Sequence, residues 1–136
     1  MRTFTISFFL TVSVFNTAHA EDLDWVEPTE KQIEHLKLGF VEASNLKDPF
    51  SVQFRSGLKV GAVSNGTYVY CGFLNAKNSH GAYTGWAKFV VIDTTMESDG
   101  SYSYGNGGGT WSIYIEDEDD IYATIFINMG CEGYRW

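Results

Sequence analysis

The two cysteines constrain the fold of this chain more than any other feature. Cys71 and Cys131 are its only cysteines, sixty residues apart. An even number of cysteines in an exported chain predicts a disulfide. Two free thiols or a metal-binding pair are the alternatives, but no other Cys or His lies at ligand spacing from either one. Closing a loop of this length is expected to stabilise the fold by about 4 kcal/mol. We therefore predict a single structural disulfide between Cys71 and Cys131.

The first twenty residues have the pattern of a secretory signal peptide. Arg2 supplies the positive charge, residues 4–15 form an apolar run, and Ala18-His19-Ala20 has the small-x-small form of a cleavage site. A retained anchor is the alternative, but the apolar run is shorter than the roughly twenty residues that cross a bilayer. We predict cleavage after Ala20 and a periplasmic or secreted location. Residues 1–20 are then the signal peptide, and residues 21–136 form a single domain.

The acidic composition indicates which classes of molecule the protein is expected to bind. The chain has 17 acidic and 9 basic residues, a net charge of −8 at pH 7. Loss of Arg2 with the signal peptide makes the mature charge about −9. Binding to nucleic acid or to an anionic membrane needs a basic patch, so we expect neither. No later segment is long and apolar enough to span a membrane. The predicted partner is a basic envelope or secreted protein, and no cofactor is expected.

The spacing of apolar residues predicts an amphipathic helix over residues 28–45. Ile33, Leu36 and Phe40 recur at intervals of three and four, with charged residues mostly elsewhere. The apolar side of this helix is expected to pack on a sheet. His35 falls on or near the polar side, where an ordinary surface histidine is expected.

Residues 48–54 have two competing interpretations. Asp48 can cap a helix, and Pro49 has the backbone angle of a first helical residue. The alternation of Phe50, Val52 and Phe54 favours a strand instead. We predict a short helical turn.

A β-hairpin is predicted over residues 58–74. The runs 58–63 and 68–74 flank Asn65-Gly66, the preferred pair for a two-residue type I′ turn. Within the second run Cys71 shares a face with apolar neighbours and is therefore expected in the core.

The remaining elements are predicted from alternation. The pattern predicts a long strand over residues 82–92, followed by a glycine-rich loop over residues 93–109. Apolar residues occupy alternate positions in the runs 111–115 and 121–127, which flank an acidic turn. This pattern predicts a second hairpin that carries Cys131 back to Cys71. The predicted fold class is α+β: an N-terminal amphipathic helix packed on an antiparallel sheet of about five strands, with one disulfide.

The loop between the predicted strands holds the main candidate site. Asn75, Lys77, Asn78 and Tyr83 offer two amides, an ammonium and a phenol, which can bind a carboxylate, a glycan or a partner backbone. A structural role is the alternative, because Asn side chains close local turns. We predict these four as ligand- or partner-binding residues.

Two other clusters of residues have weaker functional interpretations. The acidic run 116–120 has neither the alternating ligands nor the bend glycine of an EF-hand, so no metal site is predicted. Adjacent carboxylates also fit a glycosidase pair poorly, since such pairs face each other across a cleft. The many aromatic residues can stack on sugars or anchor a protein, but most are expected to pack in the core or across strands.

No recognised catalytic motif is present. The sequence lacks Gly-x-Ser-x-Gly, His-Glu-x-x-His, and a Cys with a plausible His base. A non-enzymatic protein-binding module is therefore predicted, of the inhibitor, immunity or accessory type. The alternatives are an enzyme that acts on an envelope glycan through carboxylates of the 116–120 run, and a structural component of the envelope.

One pattern resembles a known family. The chain contains Lys47-Asp48-Pro49-x-Ser51-x-x-Phe54-Arg55 and Cys71-Gly72-x-x-Asn75-x-Lys77-Asn78-x-x-Gly81-x-Tyr83-x-Gly85. This is similar to a pattern in a family of small exported bacterial proteins of uncharacterised function, over about residues 30–92. The resemblance implies an envelope or secreted location and a shared Asn-Lys-Asn loop. The chain departs from the pattern at Phe50, where a polar residue is usual, and at His80, where an aromatic is usual.

Overall fold

The computed structural model of the protein describes residues 23–63, 66–96, 101–103 and 108–136. The predicted signal peptide, Asn65 of the predicted turn and much of the 93–109 loop lie outside these ranges. The described elements are, in chain order, α1 (Glu30–Ala43), β1 (Asp48–Phe54), β2 (Lys59–Ala62), β3 (Tyr68–Lys77), β4 (Ala87–Asp93), β5 (Trp111–Ile115) and α2 (Ile121–Gly130). Neither described helix has the length and apolar character needed to span a membrane.

The five strands form one antiparallel sheet around β3. Along one edge β3 pairs with β4, and β5 pairs with β4 further out. Along the other edge β3 pairs first with β2, from Ala62↔Tyr68 to Lys59↔Cys71, and then with β1, where Phe54 lies opposite Leu74. The predicted α+β class and the antiparallel sheet of about five strands are confirmed.

The predicted hairpin over residues 58–74 is confirmed by the pairing of β2 with β3. The following strand starts later than predicted, at Ala87 rather than residue 82. Gly81 and Gly85 have φ of +79° and +106°. This left-handed region strongly favours glycine and interrupts a strand, so Tyr83 makes only an isolated bridge, to Lys77.

The predicted helical turn over residues 48–54 is wrong, because this segment is the strand β1. Its pairing with β3 is irregular between Asp48 and Gln53. At this irregularity the Ser51 hydroxyl accepts the Lys77 N–H at 2.8 Å, in place of a backbone carbonyl. Pro49 is tolerated because β1 lies at the edge of the sheet, where a proline need not donate to a neighbour.

Helix α1 begins with a reciprocal cap. The Thr29 hydroxyl accepts the Gln32 N–H at 3.2 Å, and the Gln32 side chain accepts the Thr29 N–H at 2.9 Å. This cap starts the helix after Pro28, inside the 28–45 range. Leu36 and Phe40, one turn apart, are fully buried against the sheet.

The predicted second hairpin is wrong, because residues 121–130 form the helix α2. One carboxylate oxygen of Asp120 accepts the N–H groups of Tyr122 and Ala123, at 2.9 and 3.2 Å, and caps this helix. Ala123, Ile127 and Cys131 recur every four residues on its buried side. Aliphatic residues at positions 121, 123, 125 and 127 fit a strand as well as a helix, so alternation alone misassigned the segment.

The two helices lie on opposite faces of the sheet. Successive residues of a strand point to opposite faces, so β3 directs Tyr70 and Leu74 toward α1 and Val69 and Cys71 toward α2. Buried residues of α1 pack with the first set, and Ile127 of α2 packs with the second. The sheet is therefore the middle layer of three.

The predicted disulfide is confirmed, and it holds α2 against the sheet. Cys71 and Cys131 are bonded, with their Cα atoms 5.9 Å apart, and both are buried. Cys71 sits on a strand that already has neighbours on both edges, so its partner has to come from a layer above the sheet. Cys131, directly after α2, fills that place.

Removal of this disulfide should destabilise the protein markedly. We expect the Cys71→Ala, Cys131→Ala double variant to lose about 4 kcal/mol of unfolding free energy, because the unfolded chain regains the entropy of a closed 60-residue loop. Urea denaturation of the oxidised wild type and the double variant measures this difference. A loss below about 1 kcal/mol would contradict the structural role of the bond.

Candidate functional site

The amide oxygens of the predicted binding loop close the loop itself. The Asn78 side-chain oxygen accepts the N–H groups of His80 and Ala82, at 2.9 and 3.2 Å. The Asn75 side-chain oxygen accepts the Gly85 N–H at 3.1 Å. These bonds are the local turn closure expected of asparagine, so both residues have a clear structural role at the end of β3.

The other two predicted site residues meet at the same end of the sheet. The Lys77 ammonium lies 5.4 Å from the centre of the Tyr83 ring, within cation–π range. The Tyr83 hydroxyl donates to the Ser51 carbonyl at 3.3 Å. The four predicted residues thus lie together at the end of β3 and in the loop that follows it. Their assignment to ligand or partner binding stays a prediction.

A buried polar cluster joins α1 to the end of β4, and the sequence interpretation missed it. His35 is only 5 % exposed, not on the surface as expected. Its Nε2 lies 2.6 Å from the Thr95 hydroxyl and 3.3 Å from a carboxylate oxygen of Asp93. The Thr95 hydroxyl donates to the other Asp93 oxygen at 2.6 Å, and the Tyr102 ring stacks on the imidazole at 3.4 Å. We call His35, Asp93 and Thr95 the buried polar cluster.

The order of groups in this cluster argues against nucleophilic catalysis. In a Ser-His-Asp triad the imidazole lies between the hydroxyl and the carboxylate. Here the Thr95 hydroxyl and a carboxylate oxygen of Asp93 both lie against the same imidazole nitrogen, Nε2 of His35, and the hydroxyl also bonds to the other Asp93 oxygen. Since the hydroxyl already donates to Asp93, His35 Nε2–H must donate to the hydroxyl. The cluster is a buried hydrogen-bond chain with a structural role.

One sequence signal could have placed His35 inside. Gly39 lies one turn after it, and a Cβ there would come within 2.8 Å of the Trp111 ring. The glycine therefore marks the side of α1 that approaches the sheet most closely, and His35 shares that side. Trp111 lies 5.2 Å from the imidazole, measured between ring centres.

The burial of the cluster perturbs two titrating groups. Desolvation lowers the pKa of the His35 imidazole below its ordinary value of 6.5, and the Asp93 carboxylate only partly opposes this shift. Burial, reinforced by the charge of Asp93, raises the pKa of the Tyr70 hydroxyl. Both shifts favour the neutral forms in the folded protein.

We expect the unfolding free energy to fall as the pH drops below about 6.5, because the unfolded chain then binds a proton at His35 more readily than the fold does. Above that pH the imidazole is neutral in both states and the effect vanishes. His35→Asn should abolish this pH dependence and cost about 1–3 kcal/mol at neutral pH, since it leaves buried polar groups unpaired.

Urea denaturation between about pH 7.5 and 5.5 measures the dependence. His80→Asn, at an exposed histidine, is the matched control and should keep the wild-type slope. A slope that persists in His35→Asn but disappears in His80→Asn would contradict the assignment.

The acidic run forms the turn before α2. Its five residues, Glu116 to Asp120, are all exposed. Asp117 accepts the Asp119 N–H at 3.0 Å, and Asp120 caps the helix. Among the residues that the structure describes, no three His, Cys, Asp or Glu side chains are grouped closely enough to hold a metal ion. The run is a solvated acidic turn whose carboxylates Glu116, Asp117 and Asp120 accept backbone N–H groups.

The most unusual surface of the molecule is the outer side of α2. Five apolar side chains of α2 are exposed: Ile121, Tyr122, Ile125, Phe126 and Met129, with exposed fractions of 69, 70, 44, 38 and 68 %. They recur at intervals of one, three and four residues, so they form one continuous strip. The helix contains no charged residue. We call these five residues the α2 face. Contiguous exposed apolar surface of this kind typically marks an interaction site.

Two features border the α2 face. The Phe126 ring stacks on the Tyr114 ring of β5, with 4.4 Å between ring centres, so the face continues onto the sheet. Beside this contact lies a cleft of about 280 Å³, between the 43–46 segment, β5 and the start of α2. Asp117 and Asp120 line the cleft. The apolar strip is therefore bounded by carboxylates at its N-terminal end.

Comparison with known proteins adds no relative. The chain matches no family model, no curated protein and no solved structure. The function is therefore inferred from the geometry of the chain itself.

Proposed function

We propose that this protein is a non-enzymatic binding module of the periplasm or extracellular space, and that the α2 face is where it binds a partner protein. The observation that carries the proposal is the exposed apolar strip on α2. The signal-peptide pattern of residues 1–20 supports this location, and so does the disulfide, a bond that persists in oxidising compartments.

The composition of the α2 face supports a protein partner. Protein interfaces are enriched in Tyr, Phe and Met in their buried centres and depleted in charged residues. Tyr122, Phe126 and Met129 supply the first group, and the helix has none of the second. Rigid aromatic rings also contribute much of the binding energy at interfaces, because they bury a large area at a small entropy cost.

The charge around the α2 face supports a basic partner. Five carboxylates precede the helix, and the whole chain has a net charge of −8. Such a field steers a positively charged protein to the surface and repels an acidic one. The partner we propose has an apolar patch bordered by Lys or Arg. An inhibitor, immunity or accessory protein is the type of binding module that we propose.

The loop with Asn75, Lys77, Asn78 and Tyr83 is proposed as a second contact surface. The bonds that close the loop use the side-chain oxygens of Asn75 and Asn78, so the N–H₂ groups of these two residues can donate to a partner. An enzyme acting on envelope glycans has less support, because the carboxylates of the acidic run share one exposed turn. A structural role in the envelope is distinguished from partner binding by the experiment that follows.

Polar substitutions on the α2 face should weaken partner binding without unfolding the protein. We expect the Tyr122→Ser, Met129→Ser double variant to bind the partner at least about tenfold more weakly, because each substitution removes an exposed apolar side chain that the complex would bury. The measurement is retrieval of partners from the envelope and secreted fractions, followed by titration of the retrieved protein.

Two matched double variants separate the possible surfaces. Thr124→Ala, Asn128→Ala changes two exposed polar positions of the same helix and should bind like the wild type. Lys77→Ala, Tyr83→Ala tests the loop. Equal binding by the wild type and the Tyr122→Ser, Met129→Ser variant would refute the α2 face as the interface, and failure to retrieve any specific partner would favour a structural role.

A further inference from the structure

The two edges of the sheet are built differently. The β1–β2 edge has four features that prevent further pairing. β1 contains Pro49 and an irregular register. β2 is four residues long, and its outer side is occupied by Val26, which exchanges hydrogen bonds with Val60 at 3.0 and 2.8 Å. This edge is protected against additional strands.

The β5 edge has none of these protections. Its five residues, Trp-Ser-Ile-Tyr-Ile, include no proline and no charge. They pair with β4 in one continuous register without a bulge. Within the described ranges no further strand or bridge lies along the outer side of β5. An exposed, regular, uncharged edge strand is a ready template for another strand.

The direction of the free backbone groups follows from the register. Thr94 N–H donates to Thr110 at 3.0 Å, and Glu116 N–H donates to Lys88 at 2.8 Å. In an antiparallel pair the residues that bond to the neighbour alternate with residues whose N–H and C=O point the other way. The N–H and C=O groups of Ile113 and Ile115 therefore point away from β4, toward the outer side of β5.

The surroundings of this edge indicate what kind of segment it accepts. The cleft of about 280 Å³ runs beside Ile113, Tyr114 and Ile115 and is lined at one end by Asp117 and Asp120. Its volume is at the lower limit of small-molecule sites, about 300 Å³. The acidic run follows directly from β5, so negative charge lies in line with the open edge. The α2 face adjoins it through the Phe126–Tyr114 stack.

We infer that the partner binds by adding an extended segment to the open edge of β5, with Lys or Arg at the end that meets Asp117 and the rest of the acidic run. This inference rests on the proposed function and names the form of the partner's contact. Main-chain hydrogen bonds to Ile113 and Ile115 hold the segment in register, and the carboxylates select a basic one. A second copy of this chain is disfavoured because it brings together two molecules of net charge −8.

A generic basic peptide tests the inference, because strand addition depends mainly on main-chain bonds. The probe is the capped octapeptide Lys-Arg-Thr-Val-Thr-Val-Thr-Val, and the readout is amide hydrogen exchange by NMR on the full mature chain. With probe up to about 1 mM, the Ile113 and Ile115 amides should exchange about fivefold to tenfold more slowly. The Ser112 and Tyr114 amides already bond to β4 and should change little.

Two controls test the role of charge. A peptide with Glu-Asp in place of Lys-Arg should bind about fivefold more weakly. Asp117→Asn should weaken binding of the basic probe about twofold. Asp24→Asn makes the same charge change at an exposed residue outside the cleft and should leave this binding unchanged. Equal binding of both peptides would overturn the basic specificity.

The remaining outcomes separate this inference from the proposed function. Unchanged exchange of the Ile113 and Ile115 amides on addition of the probe overturns strand addition. This holds whether or not the probe changes the exchange of the Tyr122 and Met129 amides. The retrieval experiment on the α2 face still decides the proposed function independently. Slow exchange at Ile113 that depends on protein concentration without probe would identify a second copy as the occupant and overturn the basic partner.

Discussion

The bond between Cys71 and Cys131 determines how the layers of this protein are arranged. Cys71 lies on the central strand, paired on both edges, so its side chain leaves the sheet perpendicular to it. Its partner must then lie in a separate layer, and α2 provides it. Isolated helices of ten residues are marginal in water. The disulfide and the packing of Ala123 and Ile127 hold α2 in place on one side only, which leaves the other side exposed.

The two helices consequently serve different purposes. α1 buries an apolar stripe and a polar cluster, in which His35 hydrogen-bonds through Thr95 to Asp93. This chain of hydrogen bonds links α1 to the end of β4. The face of the sheet that α1 covers therefore has a structural role. α2 buries only Ala123 and Ile127 and exposes five apolar residues. Because exposed apolar surface has a cost in water, its presence on one helix is best explained by a partner. The open edge of β5 lies beside it, so helix and strand together form the proposed binding region.

The sequence predicted the features that depend on local geometry. Asn65-Gly66 between alternating runs is sufficient to predict the β2–β3 hairpin, and the cysteine pair is sufficient to predict the disulfide. The secondary structure of residues 48–54 and 121–127 was predicted wrongly, because each sequence pattern is compatible with both a helix and a strand. Pro49 is acceptable in an edge strand as well as in a helix, and the alternating aliphatic residues of 121–127 also fit a helix capped by Asp120. The α2 face was missed for the same reason, and the burial of His35 depends on packing against Trp111 and Tyr102, which are distant in sequence.

Hydroxyl-radical labelling of the free, oxidised protein tests the exposure of the α2 face most directly. Methionine and tyrosine both react readily, and the chain contains an internal reference for each. Met129 on the α2 face should be oxidised faster than the half-buried Met96, and Tyr122 faster than the fully buried Tyr70. Labelling of Met129 no faster than Met96, with Tyr122 as protected as Tyr70, would contradict the account, because the proposed binding surface would then be buried in the free protein.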